Sequence, residues 1–243
     1  MKAEVVKVVN LSKKFRKVDA LKGVSLIIEE KEIFGLLGSN GAGKTTLLHI
    51  LMGLLDYQGE VYFFGEKIKD YPRFLKNKVA IVPQKISLYD DLTIKDNLYF
   101  FGKAYGLKKE EVLERIEKLS DALKLGDLKR KVQELSGGFQ RRVSIAVALI
   151  GNPEILILDE ALVGIDLITK KVITDMLVKL KESKTIILTT HSILDAEKLC
   201  DSVCLLHKGE NVLCGKTGEI IDKYSNKYRR EVGLEEIMFK LIK

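Results

Sequence analysis

The run Ile33-Phe34-Gly35-Leu36-Leu37 followed by Gly38-Ser39-Asn40-Gly41-Ala42-Gly43-Lys44-Thr45 constrains this chain more than any other segment. A short apolar strand, a glycine-rich turn and a Lys-Thr pair opening a helix match the spacing GxxxxGK[ST] in the strand–loop–helix setting that gives the motif its meaning. The chemistry follows from the residue types. Glycines let backbone N–H groups converge on phosphate oxygens, the helix N-terminus adds positive potential, Lys44 neutralises outer phosphates, and the Thr45 hydroxyl can ligate Mg²⁺. Gly38, Ser39, Asn40, Gly41, Ala42, Gly43, Lys44, Thr45 and the adjoining Thr46 are therefore candidate nucleotide-binding residues. The helix should run from about Lys44 to Leu54, with Leu47, Leu48, Leu51 and Leu55 as its apolar stripe.

The alternation of strand and helix recurs later, with strands at Ile155 to Leu158, Thr185 to Thr189 and Val203 to Leu206 and an amphipathic helix at Lys170 to Lys181. Such alternation implies a mainly parallel α/β sheet. Before the phosphate loop, Val5 to Val9 and Val24 to Ile28 read as strands of an antiparallel part. Residues from about Asp91 to Lys131 read as almost wholly helical, an inserted helical lobe, and Lys208-Gly209-Glu210 as a hairpin turn. No long linker, repeat or low-complexity tract interrupts the chain. The expectation is one domain over residues 1–243. Its β/α core would span about 1–90 and 150–220, its helical lobe about 91–149, and its C-terminal helical tail about 219–243.

Length and composition fit a globular protein: 243 residues, 46% hydrophobic and 31% charged. No apolar run approaches the roughly 20 residues of a membrane-spanning helix, and Met1 to Asn10 has no apolar signal core. A cytoplasmic location is expected. Cys200, Cys204 and Cys214 are odd in number without a CxxC spacing, and read as reduced core residues. The formal net charge of +7 is spread along the chain with Lys often beside Glu, and no aromatic-studded basic patch suggests a nucleic acid partner.

A site that hydrolyses a nucleoside triphosphate also needs a carboxylate for the metal and a group to organise water. Ile155-Leu156-Ile157-Leu158-Asp159-Glu160 offers both at the end of a buried strand: Asp159 for Mg²⁺, directly or through water, and Glu160 as general base. Standing alone, two acids there would be a strand turning out to solvent; the phosphate loop makes the catalytic reading the better one.

Leu135-Ser136-Gly137-Gly138 before a basic helix start gives a second anion-receptive helix N-terminus, although Ser136 could also be a plain N-cap. With this tetrapeptide the sequence resembles the ABC ATPases, over nearly the whole chain. The resemblance implies a P-loop NTPase core with an N-terminal antiparallel β subdomain and an inserted helical subdomain. It also implies ATP sandwiched between the phosphate loop of one subunit and Ser136, Gly137 and Gly138 of another. It places Phe15 where an aromatic stacks on adenine, Gln84 where a glutamine meets Mg²⁺ and the membrane subunit, His191 where a histidine senses the γ-phosphate, and Asp166 where an acid contacts the partner subunit. The first three have plainer alternatives: Phe15 as core, Gln84 as an ordinary loop residue, His191 as the start of a helix. His49 and His207 read as structural.

Departures from the family pattern are Ala161 for the usual Pro, Leu162 for Ser or Thr, Ile165 for Leu and Phe139 for Gln. Leu88 to Thr93 and Leu234 to Leu241 look like segments of exporters whose membrane domain is a separate polypeptide. The expected function is thus an ATPase with ATP and Mg²⁺, peripheral on the inner face of the cell membrane. It would power transport through integral membrane subunits, with a second nucleotide-binding subunit as partner. A non-transport ABC ATPase acting on ribosomes or nucleic acid is the rival; the single phosphate loop and the lack of a coiled-coil insertion between Lys44 and Asp159 oppose it. A non-hydrolysing regulator is opposed by Glu160 and His191.

Overall fold

The computed structural model describes residues 2–68, 75 and 77–242. Met1 and Lys243, the outer limits of the expected domain, lie outside them. In chain order the elements are β1 (Glu4–Phe15), β2 (Val18–Glu29), β3 (Ile33–Leu37), α1 (Lys44–Leu51), β4 (Gln58–Phe63), β5 (Glu66–Ile68), β6 (Val79–Val82), α2 (Ile94–Ala104) and α3 (Lys109–Leu123). There follow α4 (Gly137–Leu149), β7 (Ile155–Asp159), α5 (Leu167–Leu180), β8 (Thr185–Thr190), α6 (Ile193–Leu199), β9 (Ser202–His207), β10 (Glu210–Lys216), α7 (Thr217–Tyr228) and α8 (Leu234–Ile242). The chain divides into two compact units, Met1–Arg73 with Thr185–Lys243, and Phe74–Lys184.

In the first unit β2-β1-β4-β5 form an antiparallel sheet. β1 and β2 are each 12 residues long, more than twice the five-residue runs legible as strands. The extension passes through register shifts on β1, one of them around Asn10, whose φ of 48° is left-handed. Asn tolerates that conformation, and such a bulge lets a strand continue where the alternation of apolar and polar residues breaks. β4 and β5 carried no clear signal and are found only in the structure.

The unit's other strands lie in the order β10-β9-β3-β8. β3 is parallel to both neighbours and all five of its residues are buried, which is why it reads as a continuous apolar run rather than an alternating one. Gly35 sits mid-strand because a Cβ there would come within 2.8 Å of the Cys200 sulfur. β9 and β10 form the expected hairpin, with Lys208 and Gly209 at φ 49° and 86° supplying the two positive-φ positions of a type I′ turn.

That hairpin also corrects the cysteine reading. Its register places Cys214 directly opposite Cys204, and the two sulfurs are joined as a disulfide. A ten-residue separation gives no hint of this until the antiparallel pairing is known. Cys200 alone matches the expectation of a free, buried thiol, and burial, helped by nearby Asp201, pushes its pKa up to about 12.

In the second unit β6 and β7 pair in parallel and carry α2, α3, α4 and α5. The expected helical stretch from 91 to 131 is helical only through Leu123. Lys124 ends α3 in a left-handed conformation at φ 51°, and Gly126 follows at φ 62°. The chain then runs back past the start of α2, where the Arg130 and Leu128 carbonyls accept the N–H groups of Ile94 and Lys95. Those donors have no partner within their own helix, so the returning segment satisfies them from outside.

The loop before α2 is fixed by one side chain. Asn97 is fully buried; its Oδ1 accepts from the Tyr89 N–H (2.9 Å) and its Nδ2 donates to the Tyr89 and Thr93 carbonyls (3.0 Å each). Asn97→Leu fills a similar volume but strands these groups, and is expected to lower stability by about 1–3 kcal/mol. The measurement is urea unfolding, in which the midpoint should fall with the slope unchanged.

Candidate functional site

In the first unit the β3–β8 register pairs Leu37 with Thr190, so both chains leave the sheet at the same level. The residues that follow are Gly38 and His191. This is the carboxyl end of parallel strands, where α/β sheets present their ligand sites. Two glycines of the loop are demanded by their surroundings. Gly38 (φ 151°) would put a Cβ 2.4 Å from the Leu206 carbonyl oxygen, and Gly43 (φ 110°) would put one 2.7 Å from the Ala20 oxygen. The β9–β10 turn braces the loop from below: the Gly209 N–H donates to the Ala42 carbonyl (3.1 Å) while the Gly209 carbonyl accepts from Lys22 (2.8 Å).

Lys44, the first residue of α1, is buried, and its ammonium donates to the Gly38 and Ser39 carbonyls at 2.8 and 3.2 Å. The cation is thereby held across the loop. Ser39, Asn40 and Gly41 are exposed, as is Thr45, and Thr46 is half-buried. α1 is shorter than expected, ending at Leu51, with Leu47, Leu48 and Leu51 buried.

Phe15 closes the β1–β2 hairpin, is 42% exposed and has the Lys13 ammonium 5.1 Å from its ring centroid, so it is no core residue. His191 is exposed in the bend after β8. It does not begin α6 either, since the N-cap is Ser192, whose side chain accepts from the Asp195 N–H.

The second unit repeats the device. β6 and β7 pair Val82 with Leu158, and the next residues, Pro83-Gln84 on one chain and Asp159-Glu160 on the other, emerge together. Asp159 is buried at the strand end. Glu160 adopts φ 47°, a left-handed conformation costing a non-glycine residue about 1–2 kcal/mol, of the kind that accumulates at functional sites. The Gln84 Nε2 donates to Glu160 Oε2 at 3.0 Å. An ionised carboxylate only accepts, so the amide nitrogen must be the atom facing it.

On α4, Ser136 is the N-cap and accepts from the Phe139 N–H at 3.4 Å, so the plainer alternative is realised, and its side chain remains at the surface. Gly137 is exposed with open space around it. Gly138 is different: a Cβ there would meet Asp166 Oδ2 at 2.9 Å and Thr169 Oγ1 at 3.0 Å. Asp166 caps α5 by accepting from the Thr169 N–H (2.9 Å), a bond that holds its carboxyl below the usual range. Ala161 and Leu162 are buried, which accounts for apolar residues there. Phe139 packs under the Arg142 guanidinium, 4.2 Å from its ring centroid.

One residue escaped the sequence reading. Arg141 of α4 is 7% exposed, and its guanidinium donates to the Pro83 carbonyl at 2.6 Å and the Gln84 carbonyl at 2.5 Å. Burial lowers its pKa and the charge of Asp159 opposes that fall. The available signal was its spacing, since Arg141 shares the i, i+4, i+7 stripe with buried Ile145 and Ala148.

Among the described residues no group of three or more His, Cys, Asp or Glu side chains could hold a metal ion.

The chain is similar to known proteins over most of its length. The profile described as ABC transporter matches residues 21–163. The chain is 42% identical over 221 residues to an uncharacterized ABC transporter ATP-binding protein of Methanocaldococcus jannaschii, covering 90% of this chain and 80% of that protein. It is 35% identical over 216 residues to the Nod factor export ATP-binding protein I of Burkholderia lata, covering 88% and 71%. Among solved structures it superposes, with a TM-score of 0.77 and 32% identity over 87% of this chain and 98% of the other, on an ATP-binding cassette seen as a dimer in a post-hydrolysis state with ADP and Pi. With the α/β architecture, the phosphate loop and the Ser136–Gly138 helix start in place, the chain belongs to the ATP-binding, ATP-hydrolysing subunits of ABC transporters.

Proposed function

We propose that two copies of this chain, or one copy and a paralogue, close on two Mg²⁺-ATP molecules and thereby drive an exporter-type membrane subunit. The observation that carries this reading is the pair of anion-receptive surfaces: the loop opening at Lys44, and the exposed Ser136-Gly137 start of α4. One triphosphate needs both surfaces. The dimeric post-hydrolysis cassette with ADP and Pi supports closure of two subunits around the nucleotide, and the similarity to an export ATP-binding protein supports outward transport.

The roles follow from chemistry. The chain acts as one ABC ATPase domain, in which Gly38 to Thr46 wrap the phosphates, Lys44 neutralises the outer ones, and Phe15 stacks on the base. Thr45, Asp159 and Gln84 would hold Mg²⁺. When bound, the ion neutralises charge developing on the β- and γ-oxygens. Glu160 takes a proton from the attacking water as its oxygen bonds to the γ-phosphorus and the bond to the β-bridging oxygen breaks, releasing ADP and phosphate. His191 reads the γ-phosphate, Ser136, Gly137 and Gly138 of the partner copy cover it, and Asp166 orders the contact between copies.

No helix among the described residues is long and apolar enough to cross a membrane; this reading assigns membrane passage to a separate spanning subunit. The face around Gln84 to Leu92 would receive it, where Tyr89 and Phe100 are exposed and stack edge to face.

Glu160→Gln is expected to bind ATP, hydrolyse it at least about a hundredfold more slowly and accumulate as a dimer on gel filtration with ATP; wild-type turnover would refute the base assignment. Lys44→Ala is expected to lose nucleotide binding, measured by equilibrium titration, and retained micromolar affinity would refute the phosphate role. Detergent extracts should yield this chain together with an integral membrane protein. Recovery only with ribosomes or DNA would overturn the transport reading.

A further inference from the structure

β6 ends at Val82, so the next two carbonyls, those of Pro83 and Gln84, lie beyond its β-ladder partners. Arg141 meets both at once: Nη1 reaches Pro83 at 2.6 Å and Nη2 reaches Gln84 at 2.5 Å. A guanidinium suits this task because its donors form a rigid planar fork that stays charged when buried, whereas a lysine ammonium is a single point donor on a flexible stem. The side chain so anchored at its backbone, Gln84, in turn holds Glu160 Oε2 at 3.0 Å. Arg141 also stands one helical turn after Gly137 on the helix that Ser136 caps. Its neighbour Arg142 turns the other way, donating to the Leu123 and Lys124 carbonyls at the end of α3. The first two turns of α4 are thus tied on one side to the Gln84 segment and on the other to α3.

From this chain of contacts we infer that Arg141 is a positioning residue for hydrolysis. It fastens the Pro83-Gln84 backbone to the helix that begins at Ser136, so that a shift of that helix on meeting a partner's nucleotide is passed to Gln84 and on to Glu160. The inference rests on the roles proposed above for Gln84 and Glu160. A purely structural Arg141 would satisfy the same carbonyls, yet its loss would lower stability without acting through Gln84.

The test compares Arg141→Met, which keeps an apolar stem and removes both donors, with Arg141→Lys, each alone and combined with Gln84→Ala. Steady-state ATPase of the full chain, affinity for a fluorescent ATP analogue and the thermal midpoint are measured. Arg141→Met is expected to lose about ten- to a hundredfold in kcat with KM and nucleotide affinity within about threefold, and Arg141→Lys to fall between it and wild type. Acting through Gln84, Arg141→Met should not slow the Gln84→Ala variant further. Wild-type kcat in Arg141→Met, losses that multiply in the double variant, or a lowered midpoint with unchanged kcat would each overturn the inference. If Arg141→Met does not fold, Arg141→Lys, alone and with Gln84→Ala, decides by the same comparison. Wild-type turnover in both Gln84→Ala and Glu160→Gln would instead sink the site assignment itself, an outcome independent of Arg141.

Discussion

Level pairing of buried parallel strands is the constraint from which the rest follows. Leu37 lies beside Thr190, and Val82 beside Leu158, so within each unit two loops leave the sheet at one height. Backbone hydrogen bonds fix that register. A slip of one residue would turn every side chain to the opposite face, and in strands buried on both faces, or nearly so, that would disrupt the packing. The loops emerging there are free to be chemically specialised because the strands beneath them are held in the interior, largely by apolar residues.

On this base the two units use different devices to hold charge. The first wraps a lysine in its own loop: Lys44 is buried and bound to the Gly38 and Ser39 carbonyls, and the loop's shape is enforced by close contacts at Gly38 and Gly43. The second unit links its charged groups through side chains. Arg141, Gln84 and Glu160 form one connected path, and Asp166 at the start of α5 lies against Gly138, where a Cβ would meet its Oδ2. The buried charges of Lys44 and Arg141 are tolerated because each has backbone carbonyl partners in place.

The family's departures acquire physical content in this setting. Leu162 occupies a buried position where a Ser or Thr hydroxyl would need a partner. Phe139 supplies a ring for the Arg142 guanidinium to cover. Asp166, which keeps the expected identity, serves also as a helix cap, so its carboxylate is ordered by its own chain.

The sequence by itself determined whatever depends on local chemistry. Glycines at 38, 41 and 43 specify a loop because only they take those backbone angles freely, the Lys208-Gly209 pair specifies a hairpin turn, and the apolar runs at 33–37 and 155–158 specify buried strands. Only the tertiary structure decided what depends on residues distant in the chain. The pairing of Cys204 with Cys214 needed the hairpin register, and the end of the helical stretch at Leu123 is fixed in part by a returning segment that satisfies α2. Arg141 reaches its carbonyls across 57 and 58 residues of chain. Such contacts depend on where strands and helices come to rest, and a side chain's own identity does not encode the position of its partner.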